Sequence, residues 1–118
     1  MRKSLFYTAL TSLVLAFAAV LILAAPAARV DDYHTCPQVT GLVPHVGGPI
    51  ISGSSNVIIC GNGAATFGSL AVCTGTIDQI AQGSSTVLIN GLPAARQGDL
   101  SAHGGVIVQG CGTVLIGP

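Results

Sequence analysis

The stretch GSSTVLINGLPAARQGDLSAH, residues 83–103, decides the fold because the chain uses it more than once. Its first half, GSSTVLING (83–91), recurs as GSSNVIICG (53–61) and as GCGTVLIGP (110–118), so Val57, Val87 and Val114 correspond, as do Ile59, Ile89 and Ile116. Its second half, PAARQGDLSAH (93–103), aligns without gaps on GAATFGSLAVC (63–73), and PAARVDDYH (26–34) is a shorter version of the same unit. The strand-like runs are spaced by 30 and 27 residues. Three copies of one unit predict a pseudo-threefold arrangement, since a single unit of this kind cannot bury its apolar face alone.

The unit itself reads as β-structure. Its apolar runs are short and β-branched, and Gly, Asn, Pro and Ser interrupt them. Asn90–Gly91 is a tight-turn pair after STVLI, because both residues accept positive φ at low cost. Pro93 restricts φ, and Ala94 and Ala95 let neighbouring copies pack closely. All sixteen glycines lie between Gly41 and Gly117. No part of that region has the 3.6-residue periodicity, length and caps of a helix. The expected fold is therefore all-β, a small pseudo-threefold domain of short strands and hairpins over residues 26–118.

Residues 1–25 differ in kind. From Ser4 to Ala25 there is no charge, and Arg2 and Lys3 precede it. About 22 residues at roughly 1.5 Å per residue cross a bilayer core, so an N-terminal apolar helix is expected, either a membrane helix or a signal-like leader. Ala25-Pro26-Ala27 has the Ala-x-Ala pattern of a cleavage site. A cut there removes or exposes Pro26 at the edge of the first repeat unit, which favours retention over cleavage. A start assigned too far upstream is the remaining reading.

Composition excludes several functions. Charged residues make up only 7% of the chain and balance to zero, so no basic face is expected and nucleic acid is not an expected partner. All four acidic residues are aspartates, which leaves little material for a supported general acid or base. Asp99, Ser101 and His103 resemble a triad only in name, being crowded into five residues of one loop. Turn capping is the simpler role for Asp99, close enough to Arg96 to pair with it. No enzyme is expected.

The metal-ligating side chains fall at repeat-related positions. Cys73 lies one 30-residue step before His103, His45 lies 28 residues before Cys73, and each precedes a repeat strand. His45, Cys73 and His103 are expected to converge on the axis, with His34 completing a tetrahedron. Zinc suits four nitrogen and sulfur ligands, and a site filled by four protein ligands is structural rather than catalytic. Small domains with few aromatics commonly need such a clamp. Structural zinc contributes on the order of 10 kcal/mol of apparent free energy at neutral pH. Cys36, beside His34, competes as a ligand, and Cys60 and Cys111 are expected as small buried apolar residues.

Together, Pro93-Ala94-Ala95-Arg96, the flanking Gly98 and Asp99, HTCP (34–37), PHVGGPI (44–50) and AHGGVI (102–107) resemble the PAAR-repeat proteins. The resemblance covers Pro26 to Pro118. It implies a β-cone capping the trimeric spike protein (VgrG-like) of a type VI secretion system, with one structural Zn2+ near the apex. It implies His34, His45, Cys73 and His103 as ligands. It further implies assembly in the bacterial cytoplasm at the spike tip, outward delivery, puncture of a target membrane and association with effectors. The apolar leader adds the expectation of membrane association or a shielding chaperone. The alternative from another class is an exported or membrane-anchored β-domain stapled by disulfides among Cys36, Cys60, Cys73 and Cys111, acting as a surface-binding module.

Overall fold

The computed structural model describes residues 24–118, so the expected apolar helix lies outside the described residues except for Ala24 and Ala25, where Ala25 opens a strand instead. Among these residues the structure is all-β, with no helix long and apolar enough to cross a membrane. In chain order the strands are β1 (Ala25–Ala27), β2 (Val39–Thr40), β3 (Val43–Pro44), β4 (Ile58–Ile59), β5 (Asn62–Gly63), β6 (Leu70–Ala71), β7 (Asp78–Gln79), β8 (Leu88–Ile89), β9 (Leu92–Pro93) and β10 (Cys111–Ile116). They form five antiparallel pairs, β1–β10, β2–β3, β4–β5, β6–β7 and β8–β9.

Three of these pairs are versions of one hairpin. Ile58 faces Gly63 and Ile59 faces Asn62; Leu88 faces Pro93 and Ile89 faces Leu92; Leu115 faces Pro26 and Ile116 faces Ala25. The first two turn through Cys60–Gly61 (φ 48° and 86°) and Asn90–Gly91 (φ 53° and 80°). Positive φ at both central residues matches the twist of a two-residue hairpin. The third hairpin has no turn. The N-terminal β1 and the C-terminal β10 meet to make it, so the two ends of the described chain close the ring of repeats.

At the centre the three PAAR-like segments bond to one another in a cycle. The Ala28 N–H donates to the Ala95 carbonyl (3.0 Å), Ala95 to Ala65 (3.0 Å), and Ala65 back to Ala28 (2.9 Å). Flanking bridges run the same way, Ala27 with Arg96, Ala64 with Arg29, and Ala94 with Thr66. All six alanines at residues 27, 28, 64, 65, 94 and 95 have no exposed surface, because three backbones this close leave room for a methyl and nothing larger. Ala27, Ala64 and Ala94 pack towards Ile89 and Ile116 of the hairpins. Their neighbours Ala28, Ala65 and Ala95 pack the other way, against Ile50, Ile80 and Ile107. These isoleucines are threefold-related too, since their N–H groups donate to the carbonyls of Asp32, Ser69 and Asp99 (2.8, 2.9 and 3.0 Å).

Two of the three loops carry the same clasp. Asp32 accepts from the backbone N–H of Arg29 and from its guanidinium, and Asp99 does the same for Arg96. The hydrogen bonds that the Arg29 guanidinium donates to Asp32 raise the Arg29 pKa above its ordinary value. Arg29 and Arg96 then reach equivalent carbonyls at the hairpin ends, Cys60 (3.3 Å) and Gly117 (2.9 Å). In the remaining loop, residues 63–73, Thr66 and Ser69 keep only the backbone part, Thr66 N–H to Ser69 Oγ at 3.0 Å. Cys60 is not buried as expected. It is exposed and joined to Cys111, which ties the first hairpin to the closing strand β10.

The alanine ring makes a direct prediction. Ala95→Leu overfills it and should cost about 1–3 kcal/mol in urea denaturation. Leu42→Ala, at a residue 98% exposed, should stay within about 0.5 kcal/mol of the parent.

Candidate metal centre

Continuing each PAAR-like loop without gaps to its eleventh residue gives PAARVDDYHTC (26–36), GAATFGSLAVC (63–73) and PAARQGDLSAH (93–103). Cys36, Cys73 and His103 therefore occupy the same repeat position. The structure brings these three together with His45, and their ligand atoms all lie within 4.8 Å of one another. Cys73 Sγ is 3.2 Å from His45 Nδ1, Cys36 Sγ is 3.5 Å from His103 Nδ1, and Cys36 Sγ is 3.9 Å from His45 Nδ1. A tetrahedral ion with metal–sulfur bonds near 2.3 Å and metal–nitrogen bonds near 2.0–2.1 Å needs ligand separations of roughly 3.3–3.8 Å. The three sulfur–nitrogen separations straddle that range, so two thiolates and two imidazole nitrogens can surround one such ion once the sulfurs part. In the structure the two sulfurs are bonded to each other, with Cα atoms 6.4 Å apart.

The two histidines of the cluster are held from behind. His45 follows the β2–β3 hairpin, an insertion peculiar to the first repeat, and its backbone N–H donates to Gln38 (2.7 Å). Its Nε2 meets the Thr40 hydroxyl, leaving Nδ1 for the cluster. Such outer partners fix the tautomer and the ring orientation of a ligating histidine. The His103 backbone N–H donates to Asp78 Oδ1 (3.0 Å). Gly105, just beyond, cannot be replaced, since a Cβ there would land on the Thr35 carbonyl.

His34 goes elsewhere. Its ring has no exposed surface, and its nitrogens lie against the Gly48 carbonyl (2.9 Å) and Asp78 Oδ2 (3.0 Å). Both neighbours are acceptors, so the ring is committed to them and offers no nitrogen to the cluster. His34 thus fills a polar place in the core beneath the site, and Cys36, two residues on, takes the position in the cluster. Of the expected ligands the structure collects His45, Cys73 and His103. The sequence raises Cys36 as a competitor of His34, and the eleven-residue match of the first loop puts Cys36, not His34, level with Cys73 and His103.

Asp78 joins these parts. Burial, the largest influence on its carboxyl, pushes the pKa up, but hydrogen bonds from Ser101, from the backbone of Gln79 and His103, and from His34 outweigh it. The net effect is a lowered pKa.

Once this geometry is considered with the fold, the chain can be placed. The family model of the PAAR motif matches residues 40–109, more than half of the chain, and the protein belongs to that family. The matched span contains Pro93-Ala94-Ala95-Arg96, His45, Cys73 and His103 and begins after His34 and Cys36. No curated protein matches the chain.

The two histidine roles separate by mutation. Cys36→Ala or His45→Ala should abolish stoichiometric zinc uptake by the reduced protein, whereas His34→Gln should retain about one zinc per chain, read by elemental analysis. Asp78→Ala should cost about 3 kcal/mol at neutral pH, as expected for one partner removed from a buried pair. A carboxylate whose folded pKa is depressed adds stability that is present above its unfolded pKa, about 3.9, and lost as pH falls through the folded value. The stability gap between wild type and Asp78→Ala should therefore shrink in acid below about pH 4, as measured by urea titration.

Proposed function

We propose that this protein is the metal-stiffened tip of a type VI secretion spike, a structural part rather than an enzyme. One Zn2+ held by Cys36, His45, Cys73 and His103 is its cofactor, and the role of the ion is to lock the three repeats and the β2–β3 arm together at the narrow apex of a β-cone. Membership of the PAAR-motif family supports this reading. So does the collection of four ligand atoms within the span of one ion.

The observation that carries the docking part is at the hairpins. Ile58, Leu88 and Leu115 stand at equivalent register positions of the three hairpins and are 59%, 61% and 63% exposed. Three matching apolar side chains left in water suit a partner whose own end is threefold. That partner is the trimeric spike protein. Docking there leaves the cluster, on the other side of the isoleucine layer, pointing outward to meet a target membrane. Assembly then occurs in the bacterial cytoplasm, with delivery outward, and effectors or a chaperone for the apolar leader are further partners.

A disulfide-stapled surface module is the second reading. It is favoured by one observation, that all four cysteines are paired, Cys36 with Cys73 and Cys60 with Cys111. Thiol titration under denaturing conditions, combined with metal analysis of protein purified from its native host, separates them. About one zinc per chain with Cys36 and Cys73 as thiols supports the tip; two disulfides and no metal support the module. In a pull-down on the cognate trimeric spike protein, Leu88→Asp and Leu115→Asp should each weaken retention at least tenfold, about 1.4 kcal/mol, with zinc content unchanged. Failure of the intact folded domain to bind would overturn the assignment.

A further inference from the structure

Cys36 and Cys73 belong to two arrangements at once. Their sulfurs are two of the four atoms that can surround an ion, and they are also bonded to each other. The two states exclude one another, because a metal needs thiolates and a sulfur in a disulfide is no longer one. The other cysteine pair has no such choice. Cys60 and Cys111 approach the Thr113 hydroxyl, and neither belongs to the metal-capable group.

We propose that the Cys36–Cys73 pair is a redox latch on the metal site: reduced, it holds the ion with His45 and His103, and oxidised, it closes as a disulfide and expels the ion. The inference rests on the metal reading above. The co-reactant is a small-molecule disulfide of the glutathione type. The two metal-bound thiolates give up one electron each and form the Cys36–Cys73 bond; the incoming disulfide takes the pair, breaks its own sulfur–sulfur bond, gains two protons and leaves as two thiols. The divalent cation departs to solvent.

The exchange replaces a four-point cross-link with a two-point one. The disulfide still ties the first repeat to the second. It releases His103, at the end of the third loop, and His45, which anchors the β2–β3 arm with its exposed Val39, Leu42, Val43 and Val46. The chain would therefore carry its ion where thiols are kept reduced, and a covalent apex with a loosened arm where they are not.

The test uses the full chain, reduced and loaded with zinc, then titrated with glutathione disulfide. Released zinc is followed with a chromogenic chelator, disulfides by peptide mapping, and the arm by amide hydrogen exchange. The expected result is about one zinc released per Cys36–Cys73 disulfide formed, with faster exchange over residues 38–46. Cys36→His should bind zinc through three histidines and Cys73 and keep it under the same oxidant. Cys60→Ser with Cys111→Ser should behave like wild type. Zinc retained with Cys36 and Cys73 linked, zinc lost while both remain thiols, or loss from Cys36→His as complete as from wild type would each overturn the latch and leave the metal reading standing. Reduced wild type that takes up no zinc would overturn both.

Discussion

Three backbone hydrogen bonds, Ala28 to Ala95, Ala95 to Ala65 and Ala65 to Ala28, are the constraint from which the rest of the structure follows. A closed cycle of this kind brings three chain segments within backbone contact around one line. Only methyl side chains fit there, which is why each loop carries two alanines. The cycle also orients what lies on either side. Ala27, Ala64 and Ala94 point to the hairpins, and the ring itself points to Ile50, Ile80 and Ile107. The resulting core is small, with Ile50, Ile80 and Ile107 its largest fully buried apolar side chains. At roughly 1.5–3 kcal/mol for each fully buried isoleucine, cross-links near the apex matter to such a domain.

The same cycle sets the chemistry. Loops locked at their alanines and continued by equal numbers of residues end at equivalent points, which is how Cys36, Cys73 and His103 come to face one another. Symmetry stops at the fourth member of the cluster, His45, which follows an insertion in one repeat only. It also stops one layer below, where the equivalent positions are His34, Ala71 and Ser101. Two of these are polar, and each is satisfied by Asp78. A buried polar layer costs stability unless every group in it has a partner. No buried side-chain nitrogen or oxygen among the described residues lacks one. The layer thus holds the His103 loop in place beneath the cluster without exposing the core.

The cysteines divide by surroundings rather than by sequence. Cys60 and Cys111 join a hairpin turn to the closing strand, outside the cluster of Cys36, His45, Cys73 and His103, and act on the ring closure alone. Cys36 and Cys73 stand among imidazoles, where the thiolate and disulfide forms have different consequences for the neighbouring arm. Composition shows only four cysteines and three histidines, and neither number reveals this division.

Much of the fold is written along the chain. The repeated GSSxVxI runs, the Asn90–Gly91 turn, the alanine pairs and the Arg96–Asp99 spacing determine short strands, hairpins and clasped loops, because turn chemistry and side-chain size act over a few residues. Which of two neighbours joins the cluster was decided only in three dimensions. His34 and Cys36 share one face of an extended segment and lie roughly 6–7 Å apart along it, so local pattern treats them alike. The pairing of His34 with Ile107 sinks the histidine into the core beside Asp78 and carries Cys36 out to the axis. Depth along that axis is a matter of register between distant segments, and register exists only once the ring has closed.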